Sequence, residues 1–188
     1  MILGGLAVMT KNPVVKIVTA VAAWEAFWWF RRRLRKGTLF REARARATYL
    51  GRPLVVVGAP DRGLTAGYPC GDYTVDIQTS SCPKFVQADI TKRLPFPDDS
   101  VVVFVSCVLE YVSDLPAATR ELARVSGGEL YVVRVEPWTL TAYWYPGTKR
   151  RLPSDWRTIP GAIAPEIEAS FAKRIRGGGA RWPRTPFG

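Results

Sequence analysis

Apolar positions follow two different patterns along the chain. Pro13 to Phe30, PVVKIVTAVAAWEAFWWF, is one nearly continuous apolar run interrupted only by Lys16 and Glu25. As a helix rising ~1.5 Å per residue it would be ~27 Å long, close to the ~30 Å hydrocarbon thickness of a bilayer. Trp24, Phe27, Trp28, Trp29 and Phe30 gather at its C-terminal end, where amphipathic rings favour a membrane interface. Beyond Pro53 the apolar residues come in short runs. Leu54 to Val57 is continuous and β-branched, as a strand buried on both faces should be. Tyr73 to Ile77, Lys84 to Ala88, Val101 to Ser106 and Leu130 to Val135 are further strand candidates. A helix precedes the last of these. Ser113 or Asp114 can cap it, Pro116 falls in its first turn, and Gly127-Gly128 stops it. Leu115, Ala118, Leu122 and Val125 share one of its faces. The alternation predicts an α/β fold with a mostly parallel sheet of about five strands, preceded by a single N-terminal transmembrane or interfacial helix.

Charge refines the first pattern. The chain of 188 residues carries a formal charge of +11, unevenly placed. Arg31 to Arg52 holds nine basic residues against Glu42 alone, and Lys173 to Arg184 holds five with no acid. What remains sums to −2 (11 − 8 − 5), so the α/β part is near neutral. The arginine block after Phe30 outweighs Lys11 and Lys16 before it, which predicts a cytoplasmic domain. Lys16 can snorkel, but Glu25 sits deeper, so a helix lying in the interface or against a partner helix is the competing expectation. A cleaved signal peptide fits poorly, because aromatic residues and arginines stand where a small-residue cleavage site belongs. Leu39 to Leu50, with FREARARATYL, reads as a solvated helix bridging membrane and domain, ended by Gly51-Arg52-Pro53. The expected organisation is therefore a membrane anchor and basic flank (1–36), a linking helix (37–52), an α/β domain (53–152) and an extension with a basic Gly/Pro-rich tail (153–188). The expected partners are membrane lipid and, in a membrane assembly, other proteins. The tail motif around Arg174 to Arg181 is too short to argue for nucleic acid.

Composition removes some chemistry. With no histidine, a Ser-His-Asp triad, histidine base catalysis and a Cys/His zinc site are excluded, and no metal site is expected. Three cysteines without a CxxC pair fit a reducing compartment, with a Cys70–Cys82 disulfide left open.

Between Gln87 and Pro137 several pieces occur in a fixed order: Asp89 after the third strand, the LPFPDDS turn from Leu94 to Ser100, VLEYV from Val108 to Val112, the RELARV helix and a glycine-closed fifth strand. Together they resemble class I S-adenosylmethionine-dependent methyltransferases, in particular the small-molecule branch, with their Rossmann-like sheet. The resemblance implies S-adenosyl-L-methionine as cofactor. It puts Gly58, Ala59, Asp61 and Gly63 in the glycine-rich cofactor loop, where backbone must approach the ligand without a Cβ in the way. Asp76 stands for the acid that binds the ribose hydroxyls, and Asp89 and Ile90 for the pair beside the adenine. Ser106 to Glu110 stand for the segment lining the methionine part. As strand-end acids, Asp76 and Asp89 fit equally as loop caps, and Glu110 as a solvent-facing or capping residue. Tyr111 stands where relatives often carry histidine.

The chain also departs from the family pattern. Ala59-Pro60-Asp61-Arg62 interrupts the loop glycines, no full helix fits before Asp76, and no pair of strands follows Pro137. An aromatic stretch, Trp138 to Tyr145, and a short helix at Pro165 to Ile175 are expected there instead. Two functions are in view. One is a membrane-anchored methyltransferase acting on a lipid, quinone-like or membrane-protein substrate. The other is a catalytically inactive, methyltransferase-like docking subunit of a membrane-bound assembly. No catalytic residue is assigned.

Overall fold

The structure, a computed structural model, describes residues 12–61, 69–133 and 139–140. Its first element is a single helix, α1 (Pro13–Leu50). Asn12 caps it by accepting from the Val14 N–H at 2.9 Å, and Pro13 fills the first turn, where the missing N–H costs nothing. Gly51 closes it at φ 64°. The Gly51 and Arg52 amides there donate to the carbonyls of Thr48 and Ala47 at 3.2 and 3.0 Å, the paired bonds of a glycine-ended helix.

Five short strands follow: β1 (Leu54–Val57), β2 (Tyr73–Asp76), β3 (Phe85–Gln87), β4 (Val102–Ser106) and β5 (Leu130–Val133). All neighbours are parallel, in the order β3-β2-β1-β4-β5. β1, β4 and β5 are buried along their whole length, which explains their continuous apolar sequences. The second helix, α2 (Leu115–Ser126), is capped by Asp114, which accepts from the Ala117 N–H at 2.9 Å. Its face of Leu115, Ala118, Leu122 and Val125 covers Val55, Val57, Val103 and Val105. The α/β expectation and the five strands hold, with the ends of β2, β3 and β4 trimmed by one residue; residues 134 and 135 of the fifth expected strand lie outside the described residues. The expectations for Trp138, for Thr141 to Tyr145 and for Pro165 to Ile175 lie outside the described residues.

The linking helix is different from its expectation. Residues 37–50 do not form a separate solvated rod. They continue α1 without a break, and Phe40, Ala43 and Ala47 are buried against Leu54, Val56, Val102, Phe104, Tyr131 and Val133. This stripe covers the sheet face opposite α2. It escaped the sequence reading because two of its three members are alanines, set among arginines that mask the helical period. Small side chains let the helix approach the sheet closely, and the Phe40 ring meets Phe104 edge-on at 5.4 Å.

Contacts along α1 fix its direction. Arg44 pairs with Asp72 at 2.6 Å, Arg46 with Glu129 at 2.9 Å and Arg52 with Asp99 at 2.6 Å. All three acids precede strands, so they mark the N-terminal edge of the sheet. Phe40 meets the middle of β4, and Lys36 is coupled electrostatically to Cys107 and Glu110, just past its end. The helix therefore runs antiparallel to every strand. Residues 13–30 project beyond the carboxyl edge. Among the described residues α1 is the helix long and apolar enough to cross a membrane; its best 18-residue window has a mean hydropathy of 1.2, and none of it is buried. Glu25 is met by protein, accepting from the Leu140 N–H at 2.7 Å.

The Arg46–Glu129 pair is two-pronged, and the Glu129 side chain is only 5% exposed. Removing the carboxylate leaves a partly buried guanidinium uncompensated. Glu129→Ala is therefore expected to lower the unfolding free energy by about 2–3 kcal/mol, read from urea denaturation of the detergent-solubilised chain.

Candidate functional site

The chain leaves β1 towards β2 and β3 on one side, then returns to β4 on the other. Strand order reverses at the β1/β4 boundary, and in open parallel sheets ligands bind outside the carboxyl ends of the strands at such a point. A pocket of about 260 Å³ lies there.

Its walls come from four strand ends. Gly58, which follows β1, has φ 99° and donates its N–H to the Val75 carbonyl at 2.9 Å. That conformation strains any residue with a Cβ, so glycine is required by the turn itself. Asp76 ends β2. One of its carboxylate oxygens accepts from the Ala59 N–H at 2.7 Å and the other from the Gln78 N–H at 2.8 Å. Each oxygen retains a lone pair for a ligand hydroxyl. Asp89 follows β3, and its carboxylate accepts from both the N–H and the hydroxyl of Thr91, at 2.9 and 2.8 Å. Those bonds, the backbone one first, hold its carboxyl below the ordinary range. Ala88 and buried Ile90 add apolar surface, and Val108, Tyr111, Val112 and Ser113 close the side next to β4.

Gly58, Asp76, Asp89 and Ile90 thus line one pocket. The other residues singled out from the sequence stand elsewhere. Ala59 faces Asp76 through its amide. Asp61 is exposed and accepts from the N–H and hydroxyl of Ser81 and from the Ser80 hydroxyl, at 2.7–2.9 Å. The Ser81 bonds hold its carboxyl well below the usual carboxylate range. Asp61 acts as a tether between two loops and does not line the pocket. Gly63 lies outside the described residues. Ser106 is buried at the end of β4 and is not a lining residue; the β4 contribution comes two to seven residues later. Tyr111, singled out from the sequence where relatives often carry histidine, lines the pocket, and Ser113, read there only as a helix cap, could have been found from the VLEYVSD run. Thr91 gave no signal beyond its place after Asp89.

Two covalent and steric features brace the loops. Cys70 and Cys82 form a disulfide, joining the segment before β2 to the loop before β3. The pair left open by the sequence is bonded, so the odd cysteine count says nothing about compartment. Next to Cys70, a Cβ on Gly71 would stand 2.5 and 2.6 Å from the carbonyl oxygens of Tyr73 and Leu54, which only glycine avoids. The LPFPDD turn is held by α2. Glu121 accepts from the Leu94 N–H at 2.7 Å, and Arg124 reaches Asp98 together with the carbonyls of Phe96 and Leu94. The turn and the RELARV helix are held together because each satisfies the other's polar groups.

Behind the pocket, on the α1 side, lies a cluster absent from the sequence reading. Arg32, Lys36 and Glu110 are buried and Cys107 is half-buried. Glu110 is 2% exposed, which rules out the solvent-facing one of its two expected roles. Arg32 and Lys36, which belong by sequence to the basic flank expected at the lipid, turn inward. Burial pushes the Lys36 ammonium below its ordinary range, against the pull of Cys107 and Glu110.

The family described as "Methyltransferase domain" matches residues 72–132, which is 61 of the 188 residues. No curated protein and no solved structure matches the chain. With the parallel five-stranded sheet, the match gives the chain the fold of class I S-adenosylmethionine-dependent methyltransferases. Members of that family typically use S-adenosylmethionine. The residues at this pocket fit such a group: a free lone pair on each Asp76 oxygen for a ribose, an apolar wall at Ile90, Val108 and Val112 for a base, and the Cβ-free turn at Gly58.

Burial pushes the Cys107 thiol up to about 11. The reactive thiolate is then scarcer at neutral pH than for a free cysteine near 8.5, by roughly 10²-fold. Under non-reducing conditions, iodoacetamide is expected to modify Cys107 about 10²-fold more slowly than a model thiol, with a rate still climbing at about pH 10. The folded thiol holds its proton more tightly than the unfolded one. Its contribution to stability is therefore present below about pH 8.5 and is lost as pH rises through about 11.

Proposed function

We propose that this chain is a membrane-anchored, S-adenosylmethionine-dependent methyltransferase acting on a lipid, quinone-like or membrane-protein substrate, with its α/β domain on the cytoplasmic side. The observation that carries the reading is the convergence of Gly58, Asp76, Asp89 and Ile90 on one pocket at the point where strand order reverses. When bound, the cofactor supplies an electrophilic methyl carbon. Asp76 would take the ribose hydroxyls, Asp89 and Ile90 the adenine edge and face, and the Gly58 turn would admit the ligand to close backbone approach. Tyr111 and Ser113 stand at the rim, where an acceptor enters. Transfer by proximity and orientation needs no histidine base.

Anchoring is supported by the unburied apolar segment of α1 and by the Leu140 N–H on Glu25, which answers the charge that weighs most against a membrane position. The proposed membrane unit is the segment up to residue 36. The proposed domain begins within α1, near Lys36, because the rest of that helix shares the sheet's core. One observation favours a docking subunit without catalysis: Asp61 is committed to Ser80 and Ser81 and leaves the loop short of a ligand group.

Calorimetry separates the two readings. The full chain in detergent is expected to bind S-adenosylhomocysteine. Asp76→Ala should weaken binding at least tenfold, the effect of losing a charged hydrogen-bond acceptor, about 1.5–3 kcal/mol. Asp76→Asn, which keeps the shape that holds the Ala59 amide, should weaken it less. No heat at millimolar ligand would overturn the enzyme reading and leave the docking subunit.

A further inference from the structure

The direction of α1 relates two features that the fold and the function leave separate. From Leu50 to Lys36 the helix climbs from the amino edge of the sheet, marked by Asp72, Asp99 and Glu129, to the carboxyl edge, marked by Cys107 and Glu110. The pocket opens at that same carboxyl edge. Continuing past Lys36 at ~1.5 Å per residue, Phe30 stands about 9 Å beyond the edge and Trp28 about 12 Å. The exposed apolar segment therefore rises from the end of the sheet that bears the pocket, and the opposite end points away from it.

The composition of this stretch marks it as the level of a headgroup layer. Trp24, Phe27, Trp29 and Phe30 are exposed, and the guanidinium of Arg31 folds over the Phe27 and Trp28 rings at 5.8 and 5.1 Å. Arg33 does the same over Trp29 at 5.6 Å. Exposed cations lying on aromatic faces suit a layer that is apolar on one side and anionic on the other. Leu140 meets Glu25, about 16 Å above Lys36 along the helix, so protein flanks α1 up to that level.

We infer that the pocket opens toward the bilayer surface, within about 10–15 Å of the aromatic band, and that the methyl acceptor is a membrane-resident amphiphile carrying its reacting oxygen or nitrogen in the headgroup. The acceptor's identity as such rests on the proposed methyltransferase reading; the orientation does not. In the transfer, the headgroup heteroatom's lone pair forms the new bond to the methyl carbon of S-adenosylmethionine. The carbon–sulfur bond breaks with its electron pair going to sulfur, and the acceptor's proton passes to water. An amphiphile held in the plane needs no diffusion through solvent to the pocket. Anchoring thereby raises its effective concentration at the edge where the pocket lies.

The test compares the two edges of the sheet. Ser113→Cys puts a fluorophore at the pocket rim, and Thr48→Cys puts one at the far end of α1; both positions are exposed. Brief labelling at neutral pH spares Cys107, whose half-buried thiol holds its proton. The full chain is reconstituted into phosphatidylcholine–phosphatidylglycerol vesicles, and quenching by a nitroxide on lipid headgroups is measured. Quenching at position 113 is expected to exceed that at 48 several-fold. Equal quenching, or stronger quenching at 48, in vesicles that carry the chain on flotation would overturn the orientation. Chain that does not float with vesicles would overturn the anchor and the orientation together. Failure of S-adenosylhomocysteine to bind would remove the acceptor assignment and leave the depth result standing.

Discussion

The rest of the molecule depends on the seating of one helix stripe, Phe40, Ala43 and Ala47, on the face made by β1, β4 and β5. Without it that face would be open to water, since α2 covers only the other side. Burying the Phe40 ring alone is worth about 2–3 kcal/mol. The two alanines contribute by what they lack, because bulk at either position would lift the helix off the strands. The three ion pairs at the amino edge add direction more than energy. The Arg44 and Arg52 pairs are substantially exposed and screened, whereas Glu129 is buried and its pair is the one that matters for stability. With the stripe seated, α1 has one orientation available, and the direction in which its apolar segment leaves the domain follows.

What could be read from the sequence follows from how each element is stabilised. β1, β4 and β5 are buried on both faces, so their sequences are uninterrupted apolar runs, and α2 has a clear stripe between Asp114 and Gly127. Those elements were legible. The role of residues 37–50 was not, because a stripe of one phenylalanine and two alanines among arginines has the composition of a solvated helix. Arg32, Lys36 and Glu110 misled for the same reason: charged residues read as exposed, and only the tertiary fold brings them together. The pocket was half legible. Gly58, Asp76 and Asp89 sit at strand ends, where backbone turns demand glycine or a carboxylate cap. Asp61 and Ser106 shared the motif's spacing but turn away from the pocket, which spacing alone does not record.

Asp76 and Asp89 show how a structural role and a binding role can share one side chain. From the sequence each fits as ligand or cap, and each caps a loop here while lining the pocket. Backbone amides fix both carboxylates in position before any ligand arrives, which lowers the ordering cost of binding. The Cys70–Cys82 bond and the Asp61 contacts with Ser80 and Ser81 brace the same loops in a chain with no described helix between β1 and β2.

Residues 40–50 belong to the domain core and not to a linker. Amide hydrogen exchange of the full chain in detergent, followed by mass spectrometry, tests this directly. The helix segment from Phe40 to Leu50 is predicted to exchange as slowly as β1 and β4, in one cooperative unit with them. Exchange of that segment within seconds, while β1 and β4 stay protected, would contradict the account.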